Sequence, residues 1–236
     1  MLKTLLLERA AAMGIPMTGE QAGQFDIYHN MLVEANARMN LTRVPDDIAE
    51  AVDRNYLDCI APLAGGFPAV AAAVDVGSGA GFPGIPLAIM LPDTRFTLID
   101  ALGKRVDFLR DVIARLGLNA GALHLRAEDA ARQGVLREGF DLAVARAVAP
   151  MNVLCEYMLP LVKVGGYMMA LKGPGLNGEL KAADNALSLL GGTIERTQPL
   201  MIPGRDWNHT AAWIKKTAPT PEKYPRRAGT VEKRSL

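Results

Sequence analysis

The sequence predicts an α/β protein built on a Rossmann-like, doubly wound sheet. From residue 69 onward, short apolar runs alternate with helical segments, the pattern of strands joined by crossover helices. The run Val74-Asp75-Val76-Gly77-Ser78-Gly79-Ala80-Gly81-Phe82-Pro83-Gly84 carries an apolar strand through a glycine-rich turn into a helix. Half of the 236 residues are hydrophobic but only 6% are aromatic, so Ala, Val, Leu, Ile and Met fill the interior.

Each element has its own reason. Residues 3–14 and 19–39 read as helices; Phe25, Met31, Leu32 and Ala35 recur near helical spacing, and Gly14, Pro16 and Gly19 punctuate between the two. A third helix is predicted over about 45–60, with Pro45 in its first turn. Pro62, Gly65, Gly66 and Pro68 then break the chain. This places a boundary between an N-terminal helical extension (1–66) and the main domain (67–217). Strand 70–76 leads to a short helix, 85–91, stopped by Pro92. Strand 95–100, helix 102–116 closed by Gly117, and strands 122–126 and 141–145 follow. Helix 151–161 ends near Gly165-Gly166, before strand 167–172 and a helix at about 178–190. Strands 193–201 and 210–216 bring the total to seven. No helix separates the last two, so the final strand is expected to be inserted antiparallel.

Charge is unevenly spread. Residues 215–236 hold seven Lys/Arg against Glu222 and Glu232, a net +5, which leaves −4 on residues 1–214 of a chain whose total is +1. The basic tail, 218–236, is open to two readings: an arm for a polyanionic partner, or a solvated terminus. No apolar run reaches the roughly 18 residues of a membrane span. Glu8 and Arg9 interrupt the first apolar run, so no secretory signal or membrane association is expected. Cys59 and Cys155 lack metal-ligand spacing and read as packing residues of a reduced cytoplasmic protein without a metal. A monomer is the expected oligomeric state.

The glycine turn carries the chemistry. In an open α/β sheet, ligands lie outside the carboxyl ends of the strands, where this turn falls. Gly77 and Gly79 permit left-handed backbone and close approach of a ligand. Asp100 ends the second strand 19 residues after Gly81, placed to accept from ribose hydroxyls. Gly79-x-Gly81-x-x-Gly84 also fits a dinucleotide fingerprint, so an NAD-dependent oxidoreductase stays open on glycine spacing alone. Asp75, two residues before the first glycine, would repel a pyrophosphate and instead suits the cationic methionine end of S-adenosylmethionine, directly or through the loop. Phe82 is expected to offer an apolar surface beside that cofactor. Ala127 and Glu128 follow the third strand and suit the adenine edge; the alternative is a helix N-terminus that favours acids. Arg146 ends the fourth strand, where a cation must be paired or used: a cofactor, base or phosphate contact, or a salt bridge.

The substrate is narrowed by what is missing. No Asn/Asp-Pro-Pro-aromatic run follows the fourth strand, and neither cysteine follows a proline. Exocyclic-amine and carbon-5 methylation are therefore disfavoured. His29, His124 and His209 form no cluster in sequence; His209, before the last strand, is the one that could face the site.

Taken together, these residues resemble the RsmG (GidB) family of guanine-N7 methyltransferases of bacterial small-subunit ribosomal RNA. The likeness rests on the segments 75–87 and 98–106, the latter Leu-Ile-Asp-Ala-Leu-Gly-Lys-Arg-Val. Arg126-Ala-Glu128, Ala145-Arg-Ala147, Ala170-Leu-Lys-Gly173 and Lys223-Tyr-Pro-Arg-Arg227 extend it over most of residues 38–230. Asn55 stands where the family usually has histidine, and Cys59 where serine is common. The resemblance implies a seven-stranded methyltransferase sheet, S-adenosylmethionine as cofactor, and Gly77, Phe82, Ala127, Glu128 and Arg146 as cofactor contacts. It implies small-subunit ribosomal RNA, free or in an assembling subunit, as partner. Arg54, Lys172, Arg226 and Arg227 are the expected RNA grips. Guanine N7 carries a lone pair and no proton, so no catalytic base is singled out. A non-catalytic RNA-binding assembly factor is the remaining alternative.

Overall fold

The computed structural model describes residues 1–227 and 229–236. Its strands are β1 (Ala72–Val76), β2 (Arg95–Asp100), β3 (Ala120–His124), β4 (Phe140–Arg146), β5 (Val162–Lys172), β6 (Gly192–Pro199) and β7 (Thr210–Lys216). They form one sheet of order β3-β2-β1-β4-β5-β7-β6. Neighbours among the first five pair in parallel. β7 lies between β5 and β6 and runs antiparallel to both, as its missing crossover helix predicts. Chain order reverses on either side of β1, which pairs with both β2 and β4; this is the switch point where such sheets bind ligands.

The helices before the sheet are α1 (Leu2–Ala12), α2 (Gly19–Met39), α3 (Ile48–Ala51) and α4 (Asp58–Ile60). Within and beyond the sheet come α5 (Gly84–Met90), α6 (Gly103–Leu116), α7 (Ala127–Ala130), α8 (Met151–Met158), α9 (Leu176–Ala182), α10 (Asp184–Leu190) and α11 (Thr230–Lys233). α2 starts at a capping box: the Thr18 side chain accepts from the Gln21 amide, and the Gln21 side chain accepts from the Thr18 amide.

Several boundaries differ from the sequence pattern. The third helix begins at Ile48, because the Asp47 carboxylate accepts from the Glu50 amide and starts the turn there. It also passes through a π-helical stretch, Val52–Leu57, before α4. β3 starts two residues early, since its register with β2 pairs Phe96 with Ala120 and Asp100 with His124. The helix expected at about 178–190 is split at Ala183 into α9 and α10.

Two apolar clusters cover the two faces of the sheet. One joins Phe25, Tyr28 and Tyr56 from the N-terminal helices to Phe96, Val106 and Leu109. The other joins Val74 and Ala143 to Met158 and Leu159, and also to Tyr224 and Val231 near the C-terminus. Both ends of the chain therefore share a core with the sheet. The tail is anchored at several points, with exposed residues between them. Arg226 bonds Glu156 of α8, Arg132 and Arg137 donate to the carbonyls of Pro225 and Tyr224, and Val231 is fully buried.

Candidate active site

The carboxyl ends of β1, β2 and β4 converge on the glycine turn. Asp75 is wholly buried, and one of its carboxylate oxygens accepts from the Gly84 amide at 3.0 Å. A Cβ on Gly84 would lie 2.5 Å from that oxygen, so this contact requires glycine. Burial raises the Asp75 carboxyl to about 7, against the lowering effect of the Gly84 bond. Asp75 therefore acts through the loop it pins. Asp100 works from the other side: its two oxygens accept from the amides of Gly79, at 2.8 Å, and Leu102, at 2.9 Å. One carboxylate thus fixes the turn after β1 and the entry to α6. Gly77 has φ +71°, and a Cβ there would meet the Val148 side chain at 2.9 Å. Gly81, with φ +112°, lies against Ile85 and the Tyr28 hydroxyl.

Of the cavities that border Val148, two adjoin the carboxyl ends of the strands. The smaller, about 160 Å³, is lined by Gly77, Asp100, Ala127 and Glu128. Four of the sequence-predicted cofactor residues are thereby brought together. Glu128 is nearly buried, and its Oε1 has no hydrogen-bond partner; the nearest cation, Arg126, is 3.6 Å away. An unpartnered buried carboxylate beside a glycine without a side chain fits the hydrogen-bond donors of an adenosine. Tyr157 and Glu232 complete this wall.

The larger cavity, about 630 Å³, is lined by Arg54, Asn55, Asp58, Arg146, Lys172 and His209, among others. Asp58 organises it. One oxygen accepts from His209 Nδ1 at 2.8 Å, and the other pairs with Arg146 at 3.4 Å. The hydrogen bond to Asp58 raises the His209 pKa above its ordinary value. Arg146 also donates to the Arg54 carbonyl at 2.9 Å, and its guanidinium lies 4.5 Å from the centre of the Phe82 ring. Arg146 is thus paired with Asp58, and it lines the larger cavity rather than the smaller. Phe82 departs from expectation. Its ring is packed against Tyr28 and Tyr56, and it supports Arg146 instead of presenting an open apolar face. Ala147, at φ 55°, turns the chain so that Val148 separates the two cavities.

The four cationic RNA candidates divide. Arg54 is exposed at the larger cavity, paired with Glu50 and stacked 4.8 Å from the Trp207 ring centre. Lys172 lines the same cavity but is nearly buried, bonded to the Ala149 carbonyl and to Glu179, each at 2.6 Å. Arg226 clasps the fully buried Glu156, and Arg227 is exposed outside both cavities. Asp58, Val148, Tyr157, Glu179 and Glu232 are absent from the sequence-derived set. They belong to five separate segments and carry no local signal.

Among the described residues no group of three or more His, Cys, Asp or Glu could hold a metal ion. Among the same described residues, no helix is long and apolar enough to cross a membrane.

A carboxylate after β2, a second after β3 and a glycine turn after β1, on a sheet whose seventh strand is antiparallel, define a class I S-adenosylmethionine-dependent methyltransferase. Solved structures agree on the fold. A Methanococcus jannaschii fibrillarin pre-rRNA processing protein aligns with TM-score 0.51 at 16% identity, covering 67% of this chain and 74% of that one. The mitomycin 7-O-methyltransferase MmcR aligns with TM-score 0.54 at 16% identity, covering 80% and 60%. Residues 21–205 match the GidB family, rRNA small subunit methyltransferase G, and the chain belongs to that family. The ribosomal RNA small subunit methyltransferase G of Clostridium perfringens is 42% identical over 234 residues, 98% of each chain. That of Lactobacillus johnsonii is 44% identical over 237 residues, again 98% of each.

Proposed function

We propose that this chain transfers the methyl group of S-adenosylmethionine to N7 of a guanine in small-subunit ribosomal RNA. The observation that carries the reading is the pair of cavities meeting at Val148, one suited to adenosine and one large enough for a nucleotide, in a chain whose residues 21–205 match the family. When bound, the cofactor supplies an electrophilic methyl group on a sulfonium. The protein's part is to hold the acceptor base. N7 presents a lone pair without a proton, so the chain has no proton to remove before transfer. Positioning of this kind is worth roughly 7–11 kcal/mol in favourable systems. Asp58 and Glu179 line the acceptor cavity and offset the positive charge that develops on the methylated ring.

For the cofactor, Gly77, Ala127 and Glu128 are the proposed contacts and Asp100 the ribose acceptor. Asp75, Gly79 and Gly81 shape the loop, and Arg146, borne on Phe82, sits at the boundary with the acceptor. For the RNA, Arg54 is the proposed phosphate contact at the cavity mouth and Arg227 a second outside it. Lys172 and Arg226 serve by holding Glu179 and Glu156 in place. The cytoplasm and a monomeric state complete the proposal.

The test is labelled methyl transfer to small-subunit RNA and to assembling particles, followed by nucleoside mass analysis. The expected product is 7-methylguanosine. N6-methyladenosine or 5-methylcytidine in its place overturns the substrate, and RNA affinity without transfer supports an assembly factor instead.

A further inference from the structure

Near its C-terminus the chain returns to the rim of the cofactor cavity: Val231 is buried, and the exposed Glu232 lines the cavity's mouth. Arg226 is clasped to Glu156, with four contacts between 2.6 and 3.2 Å. Beyond Gly229, at φ +74°, α11 turns back onto α8 and buries Val231 completely. The neighbouring residue on α11 is thereby brought to the cavity: Glu232, exposed on its outer side, accepts from the Tyr157 hydroxyl at 3.5 Å, and both side chains line the small cavity with Asp100 and Glu128. Tyr157 carries the imprint of this crowding, its hydroxyl pushed up to about 12 by burial and then by the charges of Glu128 and Glu232. Glu232 keeps its second oxygen without a hydrogen-bond partner among the described residues.

We propose that the C-terminal hook is the outer wall of the adenosine half of the cofactor cavity, with Glu232 accepting a hydrogen bond from an N–H or O–H donor of the adenosine. An ionised carboxylate is an acceptor only, and adenosine offers an amino group and two ribose hydroxyls, so the chemistry matches. The buried Val231 supplies the anchor, and Tyr157 orients the carboxylate. This assigns the basic C-terminal segment a task in cofactor binding. The proposal rests on the S-adenosylmethionine reading of the cavity.

The test uses the full-length protein and calorimetric titration with two ligands, S-adenosylmethionine and 5′-methylthioadenosine, which keeps the adenosine and lacks the amino acid. Glu232→Gln, which keeps an acceptor oxygen but loses the charge, is expected to weaken both ligands by the same factor, about three- to tenfold, the difference between a charged and a neutral acceptor. Val231→Asp, which expels the anchor, should weaken both at least as much. RNA affinity at saturating cofactor should stay at the wild-type value in Glu232→Gln. Wild-type affinity for both ligands in Glu232→Gln overturns the proposal, even if Val231→Asp fails to fold. A loss confined to S-adenosylmethionine also overturns it, because the effect then lies at the methionine end. If the wild-type protein binds neither ligand, the cofactor reading itself fails, a result distinct from either of these.

Discussion

At the scale of single residues, Asp75 shows what a sequence motif can and cannot announce. Its place before the glycines is legible, since an acid there conflicts with a pyrophosphate. Its mode of action is not, because full burial and the Gly84 bond arise only when α5 packs over β1. The same holds for Phe82, whose apolar character is plain in the sequence while its partners, Tyr28, Tyr56 and Arg146, come from distant segments. Burial of Asp75 has a pH consequence. Its carboxyl is raised to about 7 in the folded state from 3.8, so the folded protein holds a proton that the unfolded chain has lost between those values. Stability therefore falls as pH rises from about 4 through 7, and levels off above. Asp75→Asn removes the charge and keeps an acceptor for the Gly84 amide. Urea unfolding at pH 5, 6, 7 and 8 should show the wild type gaining on Asp75→Asn by up to roughly 1.4 kcal/mol per unit as pH falls from 7 to 5. Parallel pH profiles for the two proteins would remove Asp75 as the source.

At the scale of elements, the strands and the glycine turn were readable because their determinants are local: period, glycine, proline. Where an element differs from the pattern, the cause is a side-chain cap, as at Asp47, or a distant partner. The π-helical stretch Val52–Leu57 is held where Arg9 and Arg205 both reach the buried Asp53, from opposite ends of the chain. The tail shows the same dependence. Its cations alone leave a polyanion-binding arm and a solvated terminus open, and the structure adds that Arg226 answers a carboxylate, Glu156, that is fully buried on α8. Breaking a buried pair strands the remaining charge, at a cost of about 3–5 kcal/mol. Arg226→Ala should lower stability by that order in chemical denaturation. Combining it with Glu156→Leu should restore most of the loss, because the stranded charge is then gone. If Arg226→Ala leaves stability unchanged but lowers the salt dependence of RNA binding, the residue faces RNA in solution and the clasp is not its role.

At the scale of the whole molecule, composition and alternation were enough for the fold class and strand count, because a doubly wound sheet is specified by the order of its elements. The larger cavity was not legible. Arg54, Asp58, Arg146, Lys172 and His209 come from four separate parts of the chain, and only the topology gathers them. Nor did the break at Pro62–Pro68 separate a helical extension in space. Phe25, Tyr28 and Tyr56 lie in one cluster with the sheet, and the Tyr28 hydroxyl donates to the Ala80 carbonyl, inside the glycine turn, at 2.7 Å. The N-terminal helices are thus a support for the cofactor loop. Tyr28→Phe deletes that donor and leaves a buried carbonyl unpaired, a cost of about 1–3 kcal/mol. Because the stranded group lies in the turn, part of that cost should appear as weaker S-adenosylmethionine binding, alongside the loss of stability. Calorimetry on Tyr28→Phe and urea unfolding of the same variant measure the two effects. An autonomous N-terminal extension would lose stability in its own separate transition and leave cofactor affinity at the wild-type value, whereas a shared core gives one transition and a coupled loss.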